Sequence, residues 1–374
     1  MERVWLSSPH MGEKEQLYVT EAFTTNWVAP LGPNVDAFEK QLATYVGVKG
    51  AVSLSSGTAA LHLALKILGI KRGDLVLCQS FTFAASAFPI TYCDAIPVFI
   101  DSERETWNMD PVLLEQAIMD QLTKGKKPAA IMVVHLYGMP AKMNEILEIA
   151  ARYDIPLIED AAEALGSSYN GKACGGFGEV GVLSFNGNKI ITTSGGGALT
   201  SNDEGIISKA RHLSAQAKEP AAFYLHKEIG FNYRLSNVLA GIGRGQMEVL
   251  PERIESRRKI FKFYQEELKN IDGISFLSEP AGFFSNRWLT TVLFDKGMEN
   301  GINEKVRLEL EKQNVETRAL WKPLHQQPVF ESCETYNSGV ADELFATGLC
   351  LPSGSNTSTA NLEKVVYEIK KFLS

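Results

Sequence analysis

Only five cysteines occur in 374 residues, at Cys78, Cys93, Cys174, Cys333 and Cys350, and none belongs to a C-x-x-C pair. An odd, scattered set excludes a complete disulfide framework and the usual zinc spacings. It predicts reduced thiols in a cytoplasmic protein with no metal centre. Long apolar runs are missing too: no uncharged stretch reaches the roughly 20 residues a bilayer span requires. The opening Met1-Glu2-Arg3-Val4-Trp5 lacks the apolar core of an export signal, so neither membrane insertion nor export is expected. Positive charge is in short supply, with 37 Lys and Arg against 44 Asp and Glu, a net charge of −7. A nucleic-acid partner would call for a basic face that releases counterions, and none is evident. The short basic run Arg257-Arg258-Lys259 reads as the solvated side of a helix. Finally, no G-x-G-x-x-G occupies the first strand-to-helix turn, which counts against a nicotinamide dehydrogenase.

What is present is an ordinary globular composition, 45% hydrophobic and 22% charged, in a chain long enough for two domains. Short β-rich runs at Ala51–Ser55, Leu75–Cys78, Pro97–Ile100, Ala130–His135, Pro156–Asp160, Val180–Phe185 and Gly197–Ser201 alternate with helical patterns. Such alternation predicts an α/β domain with a mostly parallel seven-stranded sheet. Thr58–Leu68 is apolar on nearly every side, as a helix buried against a sheet should be, and Lys142–Tyr153 is amphipathic. After Arg244 the pattern changes. Gln246–Ile271 reads as one long amphipathic helix, interrupted early by Pro251, with Arg257, Arg258, Lys259 and Lys262 among its polar positions. The boundary is placed there, giving a large domain over 1–245 and a smaller α+β domain over 246–374. In the second, a strand is expected at Trp288–Phe294, a helix at Asn303–Lys312, a strand near Val315–Leu320 and a closing helix at Ala360–Leu373.

Four clusters carry chemistry. Ser55-Ser56-Gly57-Thr58 stands where a strand turns into a helix, and free N–H groups beside small hydroxyl residues suit a phosphate. A simple helix cap would look the same. Leu157-Ile158-Glu159-Asp160-Ala161-Ala162-Glu163 is an apolar strand ending in acids, at the sheet edge where α/β proteins bind ligands. A buried Asp160 would demand a cationic partner such as a protonated pyridine nitrogen, or else caps the next helix or pairs with an Arg. Leu183-Ser184-Phe185-Asn186-Gly187-Asn188-Lys189-Ile190, followed by Ser194-Gly195-Gly196-Gly197, places a lysine just after a core strand. A partly desolvated amine there could act as a nucleophile towards an aldehyde, while a hairpin turn with an exposed lysine would fit the same residues. Phe83, beyond Leu75–Cys78, could stack on a flat cofactor or serve as plain core.

A phosphate turn, an acid and then a lysine, in that order along an α/β chain, resembles the fold-type I pyridoxal phosphate (PLP) enzymes. More closely, the sequence resembles the nucleotide-sugar aminotransferases of the DegT/DnrJ/EryC1/StrS family. The likeness runs through Asn26-Trp27-Val28-Ala29-Pro30-Leu31-Gly32, Ser56-Gly57-Thr58-Ala59-Ala60-Leu61, Glu159-Asp160-Ala161-Ala162-Glu163 and Gly230-Phe231-Asn232-Tyr233-Arg234-Leu235-Ser236. It implies a fold-type I PLP-dependent transferase in which Lys189 bonds the cofactor (PLP or its amine form, PMP), Asp160 holds the ring nitrogen and Phe83 stacks on the ring. It also implies that Gly57, Thr58 and Ser184 hold the phosphate together with Asn232 of a neighbouring subunit, and hence a homodimer with shared sites. Many relatives carry Gln where this chain has Glu163, and His-Ala-Thr-Lys where it has Asn186-Gly187-Asn188-Lys189. Both variants are similar to the branch that makes UDP-4-amino-4,6-dideoxy-N-acetylglucosamine on the route to bacillosamine, as are Ser285-Asn286-Arg287-Trp288 and the run from Glu316 to His325. The partners so implied are a UDP-linked ketosugar and L-glutamate, with Arg287, Trp288 and Arg318 as substrate contacts. A dTDP- or GDP-linked ketosugar would use the same core.

Overall fold

A computed structural model describes residues 3–295 and 301–373. The outermost positions of the two expected domains, 1, 2 and 374, and positions 296–300 within the second, lie outside the described residues. All seven expected strands form: β1 (Gly50–Leu54), β2 (Leu75–Gln79), β3 (Ile96–Ile100), β4 (Ala130–Val134), β5 (Leu157–Asp160), β6 (Val180–Ser184) and β7 (Gly197–Ser201). They lie in one sheet in the order β1-β7-β6-β5-β4-β2-β3, which the short strand Thr335–Tyr336 extends beyond β3 to eight strands. Only β7 runs antiparallel to its neighbours. Both faces are covered by helices, so the strands read as continuous apolar runs rather than alternating ones.

Because the other strands are parallel, the ends of β1, β2, β4, β5 and β6 share one edge. Side chains placed one to five residues beyond those ends therefore converge. Register fixes the centre of this edge, with Asp160 set opposite Val134 of β4 and Val182 of β6.

The second sheet is antiparallel and smaller, in the order Ile274–Phe276, Thr290–Phe294, Gly348–Leu351, Arg318–Ala319. Helices Ile302–Lys312 and Thr359–Leu373 pack on it around Val292, Phe294, Val306, Leu310, Val365 and Ile369. The chain's beginning joins this region as well: Val4 forms a parallel bridge to Val315.

The long helix departs from the sequence expectation in two ways. It starts at Asn237 rather than 246 and continues through Pro251 to Leu268, so it crosses the 245/246 position. Gly243 and Gly245 argue against helix in the sequence, but an added Cβ at Gly243 would lie 2.7 Å from the Phe38 ring and at Gly245 2.6 Å from the Glu15 nitrogen. Close approach to the first two helices, Glu15–Thr24 and Pro33–Val46, outweighs helix propensity here. Moreover, Arg257 is not on the solvated side: its side chain is among the largest that are fully buried. No helix among the described residues is long and apolar enough to cross a membrane.

Candidate active site

At the shared edge lies a cavity of about 300 Å³. It collects Gly57, Thr58, Phe83, Asp160, Glu163, Ser184, Lys189 and Trp288, eight of the residues singled out from the sequence.

The β1 turn behaves as a helix start should. Ser56 is the N-cap of helix Gly57–Ile67, and its hydroxyl accepts the Ala59 N–H at 3.0 Å. That leaves the N–H groups of the first turn pointing out of the helix, where an anion is favoured by the helix dipole. Ser184 closes the other side, and a Cβ on Gly57 would sit only 3.0 Å from the Ser184 Cβ. Strand β7 begins directly beneath: a Cβ on Gly197 would come within 2.4 Å of the Gly57 nitrogen, so only glycine lets the two backbones meet.

Asp160 ends β5 with its side chain turned into the protein, 4% exposed. Its oxygens accept from the Ser86 hydroxyl at 2.7 Å and the Ala162 N–H at 3.1 Å. Neither partner is charged. Burial pushes its carboxyl above the ordinary range, and these two bonds and the more distant Lys189 only partly offset that. A buried carboxyl with neutral partners is the kind of group that a protonated ring nitrogen completes.

Lys189 follows β6 and has a side chain 13% exposed, so the amine is not out in solvent. Its Nζ lies 3.8 Å from Glu163 Oε1 and 4.2 Å from the centre of the Trp288 ring. Glu163 is buried, which raises its carboxyl, while Lys189 and the Tyr137 N–H at 2.6 Å act to lower it. Phe83 leaves half its surface, 51%, uncovered beside the cavity and touches Trp321 with ring centres 5.1 Å apart. An aromatic face so exposed is available for a flat ligand rather than serving as core.

Three expected contacts fall outside this cavity. Arg287 is buried on the far side, its Nη1 donating to the Leu277 carbonyl at 2.8 Å, its Nε 3.7 Å from Glu279 and its guanidinium stacked on Phe261. Those partners turn it away from any ligand in the cavity, which corrects its expected place at the substrate. Arg318 is largely exposed, pairs with Glu316 at 2.9 Å and lines a neighbouring cavity of about 670 Å³. Asn232 is exposed on the segment that pairs with Ala215, away from its own chain's cavity.

Sequence reasoning does not single out Ser86 or Tyr137, and Asn188 and Trp321 stand in its motifs without a role of their own. Tyr137 is held at a positive φ of 52° and stacks between Trp288 and Trp321, with ring centres 6.4 Å and 6.2 Å away. Its buried hydroxyl accepts the Trp321 N–H at 2.8 Å. A hydroxyl-rich run from Ser80 to Ser86 just after β2 was a usable signal for Ser86. Nothing periodic marks Tyr137 or Trp321. Beneath the site, His135, Glu159 and Cys174 form a buried trio. His135 Nδ1 accepts the Ala141 N–H at 3.0 Å, so Nε2 carries the hydrogen given to Glu159 at 2.8 Å. Burial alone would raise Glu159, but His135 and the N–H groups of Gly175 and Phe177 outweigh it and keep it low. The His135 Nδ1 lone pair and the Glu159 oxygens are thereby engaged structurally.

A lysine, a buried acid with neutral partners and a helix N-terminus, gathered at one edge of such a sheet, define a PLP-dependent transferase of fold type I. The comparisons narrow this. The chain belongs to the DegT/DnrJ/EryC1/StrS aminotransferase family, whose sequence profile matches residues 9–370. It is similar to EpsN of Bacillus subtilis, provisionally named a pyridoxal phosphate-dependent aminotransferase, at 53% identity over 97% of this chain and 94% of that one. It is similar also to GDP-perosamine synthase of Caulobacter vibrioides, at 36% identity over 99% of this chain and 98% of that one. Among solved structures, a DegT/DnrJ/EryC1/StrS aminotransferase from Brucella abortus matches with a TM-score of 0.90 and 30% identity, covering 96% of this chain and 95% of the other. The protein is therefore an enzyme, an aminotransferase that works with PLP.

Proposed function

We propose that this enzyme moves an amino group from L-glutamate to C4 of a UDP-linked 4-keto-6-deoxy-N-acetylhexosamine, giving UDP-4-amino-4,6-dideoxy-N-acetylglucosamine and 2-oxoglutarate. The observation that carries an amino-transfer site is the meeting of Lys189, Asp160 and the Gly57–Thr58 turn in one cavity. Bound PLP supplies an aldehyde for the amino group and a ring that accepts electrons. Asp160 keeps a proton on the ring nitrogen. Lys189 Nζ takes the proton from the glutamate Cα, and in the second half it gives one to the sugar C4. The helix N-terminus at Gly57 and Thr58 and the Ser184 hydroxyl bind phosphate, and Phe83 covers one face of the ring.

The larger neighbouring cavity shares Asn188, Trp288 and Trp321 with the first and is also lined by Arg307 and Arg318. Two guanidinium groups there suit a diphosphate, in keeping with a nucleotide-linked substrate. UDP is favoured by the residues Glu163 and Asn186-Gly187-Asn188-Lys189, whereas the 36% identity to a GDP-perosamine synthase favours a GDP-linked ketosugar as the second reading. Turnover of purified UDP-, dTDP- and GDP-linked 4-ketosugars with glutamate separates them. A preference for the GDP sugar would overturn the UDP assignment.

The active form in this reading is a homodimer in which Asn232 reaches the partner's phosphate site. Exposed apolar side chains at Trp27, Val28, Leu31, Phe223, Tyr224 and Ile229 support a covered surface. Mixing an Asn232-altered subunit with a Lys189-altered one should restore activity in hybrid dimers, and no recovery would argue against sharing. Five unpaired thiols support a reducing, cytoplasmic setting.

A further inference from the structure

The amine of Lys189 has to leave the cofactor in the first half of the reaction and can return only at the end of the second, so it needs somewhere to stay in between. We propose that the indole face of Trp288 is the dock of the Lys189 amine in its protonated form, in the cofactor-free protein and between the two halves of the reaction, and that Arg257 is the positioning residue that fixes the ring. The inference rests on the reading of Lys189 as the cofactor lysine.

The dock is visible in the geometry. Lys189 Nζ stands 4.2 Å above the Trp288 ring, within the range of a cation–π contact, while the Glu163 oxygen at 3.8 Å is too far for a hydrogen bond. An ammonium held by a π face is retained without the close carboxylate bond that would resist its release.

Every attachment of that ring is defined. The Trp288 N–H donates to Asn286 Oδ1 at 2.8 Å, and its indole Nε1 donates at 2.7 Å to the carbonyl of Asn188, the residue before the lysine. Its own carbonyl accepts Arg257 Nη1 at 2.5 Å. Arg257 Nη2 donates to the Ser7 hydroxyl at 3.0 Å, and Ser7 donates in turn to the same Asn188 carbonyl at 2.8 Å. Both bonds on the Asn188 carbonyl thus lead back to one guanidinium, which ties the chain's beginning, the lysine turn and the start of the second sheet together.

Arg257 is costly where it is. It is 1% exposed, its donors meet a carbonyl and a hydroxyl rather than a carboxylate, and its Nε has no partner. Burial, and then the neighbouring Arg253, push its guanidinium down to about 9. Fold stability alone would favour an apolar side chain of similar size at this position. The planar fork is needed because it reaches two acceptors at a fixed spacing.

The test uses cofactor-free protein and trinitrobenzenesulfonate, with the labelling of Lys189 followed by peptide mass spectrometry. Lys142, ion-paired to Glu103 and Glu105, serves as the internal reference. Trp288→Leu and Arg257→Met should each raise the Lys189-to-Lys142 labelling ratio by about tenfold, as loss of a desolvated cation–π contact predicts. Arg257→Lys should bring it back towards the parent value. General loosening of the fold would raise both lysines together and leave the ratio unchanged. An unchanged ratio in both Trp288→Leu and Arg257→Met overturns the proposal, and if Arg257→Met does not fold, Trp288→Leu with Ser7→Ala decides it. A protein in which Lys189 never bonds PLP would defeat the cofactor reading and leave this ratio intact, so the two failures are distinguishable.

Discussion

The cavity has two walls of different origin. One is the sheet edge, where Ser56, Gly57, Asp160 and Ser184 stand at or within three residues of a strand end. The other is aromatic, made of Trp288 and Trp321 and backed by Tyr137, which stacks on both, and the three come from connections far apart in the chain. The first wall is positioned by register and helix caps, devices that repeat through the fold. The second depends on special backbone: Tyr137 and Arg287, the residue before Trp288, both have positive φ, at 52° and 54°. Asp160 and the phosphate turn are thus carried by the sheet, while Lys189, five residues beyond β6 and set against Trp288, stands between the two walls.

If the sheet edge carries the chemistry, its residues should dominate the mutational response. Lys189→Ala should lose the visible absorbance of the bound cofactor and slow aminotransfer by about 10⁴-fold, the upper end for a positioned acid–base group. Steady-state rates with glutamate measure it, and retained full turnover would break the distinction between the walls. Asp160→Asn should keep the cofactor bound while slowing turnover by about 10²–10³-fold, as removal of a single preorganised electrostatic partner does. Behind the aromatic wall, Tyr137→Phe keeps the stack but strands the part-buried main-chain N–H of Trp321, and should cost about 1 kcal/mol of stability in urea unfolding. At the turn, Ser56→Ala removes only a cap and should cost about 1 kcal/mol in the same measurement.

Glu163, where the walls meet, sharpens the comparison through pH. Its folded carboxyl is raised by burial, so the folded state holds the proton more tightly than the unfolded chain. The stability it contributes is therefore present at low pH and is lost as pH rises from the ordinary carboxylate range through the raised value. Glu163→Gln should stabilise the cofactor-free protein more at pH 8 than at pH 4, and melting curves at both values show it. The opposite order would mean that the carboxylate is a favourable partner of Lys189 and belongs to the chemistry.

The contrast between the walls also explains how much was legible in the sequence. Seven of the eight large-sheet strands were, since β-rich runs and turn residues are local signals, and with them came the placement of Asp160, Ser184 and Gly57, whereas the two-residue strand Thr335–Tyr336 is too short to leave such a signal. Lys189 followed because a lysine among small residues after a core strand is unusual. Tyr137 was not, because its role comes from a left-handed backbone and contacts with residues some 150–180 positions away, as its bond to Trp321 illustrates. Arg257 was misplaced by its basic neighbours Arg258 and Lys259, which hide an inward-facing position in a charged run. Likewise Gly243 and Gly245 hid the start of a helix whose close contacts require them. Arg287 was expected at the substrate from its type and motif, yet Glu279 and Phe261 claim it.

The most direct test is reduction of the purified, PLP-loaded enzyme with borohydride, followed by peptide mapping. The account predicts one covalent pyridoxyl adduct, on Lys189, and its disappearance when glutamate is added before the reductant. An adduct on another lysine, or none on any, would contradict it.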